Sequence, residues 1–184
     1  TEAFIPFAYG GGITTLEQAT RLFKLGVEKI IINTAAYEIP QLVQDLSKEF
    51  GAQSVVVCID VKKNFWGKYD VYIRNGQVKT KWPPVDYALR MQELGAGELI
   101  VSDIDKDGSR SGYNIMLLKS ITEKVNIPVV ALGGASHLDD FKNAVIQANV
   151  SAAAAGDMFV FNGKHKAVLI TYPAYKKLEA LFKG

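Results

Sequence analysis

The sequence predicts an α/β domain built around a parallel β-sheet, and three observations support this fold class. Apolar runs of strand length recur, nearly continuous, as in strands buried on both faces. They lie at residues 3–9, 29–32, 54–59, 98–102, 128–132 and 151–155. The segments between the runs space their apolar residues as helices do. In addition, residues 127–156 repeat the pattern of residues 5–34 without a gap. Such alternation indicates parallel strands joined by right-handed crossovers.

Each apolar run is followed, in chain order, by a stretch with a recognisable helical face. The five faces consist of Leu16, Ala19, Leu22 and Phe23; Leu42, Val43, Leu46 and Phe50; Ala88, Met91 and Leu94; Ile115, Leu118, Ile121 and Val125; and Leu138, Phe141 and Val145. A helix over residues 172–182 closes the chain. Six strand–helix units fit an open doubly wound sheet, whereas a closed barrel requires eight.

Residues 62–81 interrupt the alternation after the third strand. Two β-rich segments, 69–73 and 77–81, flank Asn75-Gly76. Asn-Gly between such segments is a strong signal for a β-hairpin. We therefore expect a hairpin inserted into one loop of a single domain that spans residues 1–184.

Composition excludes several classes of protein. The chain has 184 residues, 48% of them hydrophobic, and a net charge of +2 with both signs well mixed. This argues against disorder and against a nucleic-acid or membrane-binding surface. Cys58 is the single cysteine, which fits a reducing compartment. No signal peptide or membrane span is recognisable, so a cytoplasmic protein is expected.

Glycines after two of the predicted strands suggest anion binding. Gly11 and Gly12 precede a helix start, and Asn33-Thr34 follow the next strand. Backbone amides of the glycine loop, with the Asn and Thr side chains, could surround a phosphate. Tight packing at the strand ends is the alternative. The repeat supplies a second set at Gly133-Gly134 and Gly156, which indicates a ligand with two phosphates, a pseudo-symmetric barrel, or both.

Asp60 closes the apolar run VVVCID. A carboxylate at the end of a buried strand is unfavourable unless it is used or paired. We expect it to act as a general acid or base, with pairing to Lys62 or Lys63 as the alternative. Residues 103–108 resemble a calcium loop, but Asn114 stands where the bidentate Glu is needed. Asp107-Gly108 is therefore interpreted as a turn at the mouth of the site. No spacing of His and Cys predicts a metal site.

Taken together, the segments IPFAYGGGI, INTAA, VVVCIDVK, GAGELIVSDIDKDGSRSGY, IPVVALGGA and AAAAGDMF resemble the cyclase subunit of imidazole glycerol phosphate synthase, from Phe4 to about Phe161. The resemblance implies a (βα)8 TIM barrel made of two fused half-barrels, which accounts for the repeat. It implies that ammonia arrives from a glutaminase partner docked on the N-terminal face of the barrel. The ammonia reacts with a bis-phosphorylated aminoimidazole-carboxamide ribulosyl nucleotide, and no cofactor takes part.

The resemblance also assigns residues by position. Asp60 matches a catalytic Asp on the family's fifth strand. One phosphate site comprises Gly12, Asn33 and Thr34. The other comprises Gly108, Gly134 and the Gly156-Asp157 corner, with Ser102 and Asp105 between the two sites. Lys29 and Glu98 match two charged residues that gate the ammonia entrance.

The match begins at the family's third strand, so six of eight units, strands 3–8, are expected here. The chain as given is therefore expected to be inactive, because the absent units carry the first catalytic Asp. Asp157 stands where the family has Ser, and the ending FVFNGKHKAVLITYP resembles paralogues associated with surface polysaccharides. These are thought to conduct ammonia towards sugar amidation. A sugar-phosphate isomerase of related barrel type is the third alternative.

Overall fold

The structure is a computed structural model that describes residues 5–162 and 167–183. Its strands are β1 Ala8–Gly10, β2 Lys29–Ile32, β3 Val55–Lys63, β4 Tyr69–Ile73, β5 Val78–Lys79, β6 Glu98–Asp103, β7 Val129–Leu132, β8 Ala152–Ala154, β9 Phe161–Asn162 and β10 Ala167–Val168. Its helices are α1 Leu16–Lys24, α2 Thr34–Glu38, α3 Pro40–Phe50, α4 Pro84–Glu93, α5 Ile115–Thr122, α6 Leu138–Ala148, α7 Asp157–Val160 and α8 Tyr175–Phe182, with a 3-10 turn at Ala52–Ser54.

Six strands form one curled parallel sheet in the order β1-β2-β3-β6-β7-β8. Each of these strands is followed by a helix before the next strand begins. This alternation of strands and helices forms part of the wall of a (βα)8 barrel. The α/β barrel class expected from the sequence is confirmed. Strand order follows chain order, and right-handed crossovers then place the connecting helices on one side of the sheet.

The core lies between the sheet and this helical layer. On β3 and β6 the side chains of Val57, Ile59, Leu99 and Val101 are buried in this layer. The expectation that the strands are buried on both faces is met in β7, where Val129, Val130 and Ala131 are all buried, but not along every strand. In β2, for example, half-buried and buried residues alternate. The half-buried side chains point away from the helices, and Cys58 and Asp60 are among them.

Two strands differ in extent from the sequence expectation. The first, expected at residues 3–9, is Ala8–Gly10 in the structure, while residues 1–4 lie outside the described part of the chain. The third, expected to end near Asp60, continues to Lys63. It does so because β4 pairs with it antiparallel, from Asp60 opposite Tyr72 to Lys63 opposite Tyr69. The inserted hairpin thus lengthens the strand that carries Asp60.

The hairpin itself consists of β4 and β5, with Tyr72 opposite Lys79 and Ile73 opposite Val78. Arg74, Asn75 and Gly76 all have positive φ in its turn. Arg74 attaches the hairpin to the body of the domain. Its amide donates to the hydroxyl of Thr34 (3.0 Å), and its guanidinium pairs with Glu38 at 2.8 Å. The hairpin therefore packs beside α2, the short helix that follows β2.

Candidate active site

The carboxyl ends of the six parallel strands meet at one edge of the sheet, and most predicted site residues lie there. Gly11 and Gly12 follow β1, Asn33 and Thr34 follow β2, and Asp60 lies on β3. Farther along the edge, Ser102 lies on β6, Gly133 and Gly134 follow β7, and Gly156 and Asp157 follow β8. The fold thus collects at one edge residues that are widely separated in the chain.

A cavity of about 290 Å³ joins part of this set. Gly11, Gly12, Asn33, Thr34 and Asp60 line it together with Cys58 and Asn75. The structure therefore brings the predicted general acid or base into the same cavity as the first predicted phosphate site. Asn75, from the hairpin turn, was not anticipated in this role, because nothing in the sequence indicates which way an inserted hairpin folds.

The glycine loop has a conformation that suits anion binding. Gly11 and Gly12 have φ values of 127° and 68°. A Cβ atom on either residue would meet no heavy atom within 4 Å. Backbone geometry, rather than crowding, is therefore the reason for glycine here. The loop leaves an open approach to its own backbone amides.

Asp60 is half-buried, on the face of the sheet opposite the helices. Burial raises the pKa of its carboxyl above the ordinary value, while hydrogen bonds from Cys58 and Asn33 and the charge of Lys62 lower it in part. The Cys58 thiol lies 3.6 Å from Asp60 Oδ1. Burial also raises the pKa of this thiol, which keeps it protonated and able to donate. Asp60 thus has two neutral neighbours and a pKa shifted towards neutrality.

The two polar residues after β2 already have protein partners. The amide of Asn33 donates to the carbonyl of Cys58 at 2.9 Å. The hydroxyl of Thr34 accepts from the amide of Arg74 and lies 3.4 Å from Asn33 Oδ1. These bonds orient both side chains at the cavity wall. A bound phosphate would therefore meet side chains that are held in place.

Ser102 and Asp105 were expected to lie between the two phosphate sites. Ser102 is buried and pairs in register with Asp60 across β3 and β6. Asp105 is exposed, and its carboxylate accepts from the backbone amide of Lys63 at 2.9 Å. Asp105 is not among the residues that line the cavity around Asp60. The Lys63 amide belongs to the extended part of β3, and it holds the Asp105 carboxylate outside this cavity.

The second predicted phosphate site is nearly closed. Asp107, Gly108, Gly133, Gly134, Gly156 and Asp157 do come together, but the space between them is about 10 Å³. The guanidinium of Arg110 forms an ion pair with the Asp157 carboxylate and donates to the Phe161 carbonyl at 2.8 Å. The sequence assigns Arg110 no role, because its partner lies 47 residues away.

Lys29 and Glu98 lie at the opposite edge, where β2 and β6 begin, and they form an ion pair. They flank the start of β3, and a cavity of about 280 Å³ with Gln53, Ser54 and Pro128 in its wall adjoins them. The predicted gate residues are thus brought together at the N-terminal edge of the sheet, away from Asp60.

Two further structural findings concern membrane-spanning helices and metal sites. Within residues 5–162 and 167–183, no helix combines the length and the apolar character needed to cross a membrane. Over the same residues, no group of three or more His, Cys, Asp or Glu side chains is arranged to hold a metal ion.

Comparison with known proteins places the chain among one group of relatives. A family model described as "Histidine biosynthesis protein" matches residues 1–166. The chain is 46% identical over 178 residues to a Pseudomonas aeruginosa protein named provisionally as imidazole glycerol phosphate synthase subunit hisF2, covering 97% of this chain and 71% of that protein. It is 43% identical over 161 residues to imidazole glycerol phosphate synthase subunit HisF of Alkaliphilus metalliredigens, covering 88% of this chain and 64% of the relative.

Proposed function

The chain belongs to the histidine biosynthesis protein family, and on this basis we propose that it is the ammonia-using subunit of a glutamine amidotransferase complex. The proposed reaction is that of imidazole glycerol phosphate synthase. Ammonia is combined with a bis-phosphorylated aminoimidazole-carboxamide ribulosyl nucleotide, giving imidazole glycerol phosphate, an aminoimidazole carboxamide ribotide and water. The observation that supports this proposal most strongly is the shared cavity of Asp60, Gly11, Gly12, Asn33 and Thr34.

In this proposal the glycine loop anchors one phosphate and Asp60 moves a proton. Backbone amides of Gly11 and Gly12 donate to the phosphate oxygens, as they do in other glycine-rich anion sites. The anchored ligand then extends along the cavity towards Asp60. A carboxyl with a pKa raised towards the working pH exchanges protons more effectively than an exposed one. Desolvation at Asp60 acts in this direction.

Ammonia is proposed to enter from the opposite edge. The Lys29–Glu98 ion pair lies at the start of β2 and β6, and the glutaminase subunit is proposed to dock on this face. Ammonia would pass along the side of the sheet that the helices leave uncovered. Cys58, Asp60, Ile100 and Ser102 lie on this side, paired across β3 and β6. The route therefore ends beside Asp60.

The test is turnover of the bis-phosphorylated nucleotide with an ammonium salt, measured for a full-length subunit that includes all eight βα units, as the wild type and with Asp60→Asn. The substitution preserves shape but removes proton transfer, which typically contributes about 10²–10⁴-fold. We expect turnover to fall by this factor while ligand affinity changes little. Asp86→Asn, which neutralises an exposed carboxylate in the first turn of α4, is the control and should retain activity. Near-normal turnover by Asp60→Asn would remove Asp60 from the mechanism.

A second candidate function is favoured by the closed corner at Asp157. In that case the chain conducts ammonia towards a sugar amidation step in surface-polysaccharide biosynthesis, and the chemistry takes place on a separate ATP-using partner. The ion pair of Arg110 with Asp157 occupies a place where a second phosphate was expected. A folded, phosphate-binding wild type that shows no turnover of the nucleotide would support this candidate over the first.

A further inference from the structure

The two copies of the internal repeat enclose cavities of very different size at the carboxyl edge of the sheet. The first copy, at Gly11 and Gly12, opens into a cavity of about 290 Å³. The second copy, at Gly133 and Gly134, surrounds only about 10 Å³. A space of this kind needs roughly 10–15 Å³ to hold a single water molecule, so the second space is too small for a phosphate. Two features accompany the smaller space: an ion pair beside the second glycine pair and a loop that packs against it.

Asp157 lines the second space, and Arg110 forms an ion pair with it. The side chain of Asp157 is 12% exposed and that of Arg110 is 32% exposed, so both groups are largely withdrawn from water. Arg110 also donates to the Phe161 carbonyl at 2.8 Å. Its φ of 55° is in the left-handed region, which a residue with a side chain adopts at an energetic cost. The Asp157 carboxylate and the Phe161 carbonyl together hold the guanidinium in place.

The loop that carries Arg110 is itself fixed to the second glycine pair. The Gly112 amide donates to the Gly134 carbonyl at 2.8 Å, and Lys106 Nζ donates to the Gly112 carbonyl at 2.9 Å. A Cβ atom on Gly134 would lie 2.4 Å from the Gly112 carbonyl oxygen. The loop therefore lies directly on the glycines, and no space for a ligand separates the two.

We propose that Asp157, held by Arg110, is a specificity-determining residue that fills the second anion position, so that the chain anchors only one phosphate of its ligand, at Gly11 and Gly12. This proposal rests on the phosphate anchoring of the proposed function. Because Arg110 balances the charge of Asp157, exclusion does not arise from simple repulsion. A second phosphate would have to displace a carboxylate that already has a charged partner, and such charge-assisted bonds are among the strongest hydrogen bonds in proteins.

The experiment is a titration of the ¹⁵N-labelled full-length subunit with inorganic phosphate, followed by amide shifts in two-dimensional NMR spectra. In the wild type, the amides of Gly11 and Gly12 should shift with a saturable dependence, while those of Gly133, Gly134 and Gly156 should not. In Asp157→Ser, the amides of the second corner should also shift, with an affinity at least about tenfold above the wild type. Asp157→Asn, which keeps the shape of the side chain, tests the same point if the Ser variant fails to fold.

Two controls separate this result from a general charge effect. Asp139→Ser removes an exposed carboxylate from the first turn of α6 and makes the same change in net charge, so it should not create a second site. Asp157→Ser combined with Arg110→Ala should lose the gained site, because the freed guanidinium is what binds the second phosphate.

The outcomes distinguish this proposal from the function on which it rests. Similar phosphate affinities at both corners of the wild type would overturn the proposal and leave the anchoring at Gly11 and Gly12 intact. No gain at the second corner in either Asp157 variant would overturn the role of Asp157. A wild type whose Gly11 and Gly12 amides do not respond would overturn the phosphate anchoring itself, and the proposal with it.

Discussion

Asp60 illustrates how one residue in this site is set up for chemistry at the expense of stability. Its carboxyl lies on the side of the sheet that the helices leave uncovered, beside the protonated thiol of Cys58 and the amide of Asn33. Neither neighbour carries a charge, and they compensate only in part for desolvation. The result is a carboxyl whose pKa is raised, which favours proton transfer and disfavours the folded state when the group is ionised.

We predict that Asp60→Asn stabilises the chain at neutral pH. A pKa that is raised in the folded state means that stability is highest below the unfolded pKa and falls as the pH rises through the folded pKa. Asn has no charge to bury, so the melting temperature of the Asp60→Asn variant should exceed that of the wild type at pH 7. A gain on the order of 1 kcal/mol corresponds to about 2–4 °C in a domain of this size.

Below the unfolded pKa of an aspartic acid, about 3.9, the two proteins should converge, because Asp60 is then protonated in both states. Calorimetry across pH 3 to 7 measures the difference. A melting-temperature difference that stays constant or grows towards acid pH would contradict the assigned direction of the shift.

Several elements could be predicted from local patterns, since local chemistry determines them. Gly26, Gly51 and Gly95 follow the ends of α1, α3 and α4 with positive φ, as is common for glycines that end helices. The Asn75-Gly76 signal correctly predicted a hairpin turn. By contrast, no local pattern indicates that β4 extends β3 beyond Asp60 or that Arg110 reaches Asp157, because both depend on contacts between distant segments. Pairings of this kind are decided by packing, not by propensity.

Gly97 allows a close contact between two structural elements that the sequence does not indicate. It precedes β6, and its amide donates to the Val55 carbonyl. A Cβ atom there would lie 2.1 Å from the carbonyl oxygen of Ala52, in the 3-10 turn that leads into β3. Only a glycine lets the turn and β6 approach this closely.

We predict that Gly97→Ala destabilises the chain by about 1–3 kcal/mol, the usual effect of overpacking, because backbone atoms must move. Gly156→Ala is the matched control, since an added Cβ there would meet nothing within 4 Å and the φ of Gly156 is −103°. Denaturant unfolding of both variants measures the difference. Equal stability of the two variants would show that the approach of the turn to β6 is not constrained as described.

At the scale of the whole molecule, the sheet has two open ends within the described residues. β1 pairs only with β2, and β8 pairs only with β7. Strand edges with unpaired amides and carbonyls are sites of association with other chains. Beside β1, Ile5 and Phe7 are 72% and 49% exposed, which adds apolar surface at this end.

We therefore predict that residues 1–184, purified alone, are poorly stable and self-associate. Size-exclusion chromatography with light scattering should give a mass above 20.1 kDa, and circular dichroism should show a broad thermal transition. Elution as a monomer with one sharp, cooperative transition would contradict this expectation.

The central claim is that ammonia enters beside Lys29 and Glu98 and reacts beside Asp60, at the opposite edge of the sheet. The ratio of glutamine-supported to ammonium-supported turnover, measured in the complete complex with the glutaminase, tests it most directly. Glu98→Gln breaks the ion pair with Lys29 and should lower the ratio, because ammonium salts in solution do not depend on the gate. Asp60→Asn should lower both rates together and leave the ratio unchanged. If Glu98→Gln leaves the ratio unchanged, or if Asp60→Asn affects only one nitrogen source, the two edges do not have the separate roles assigned to them.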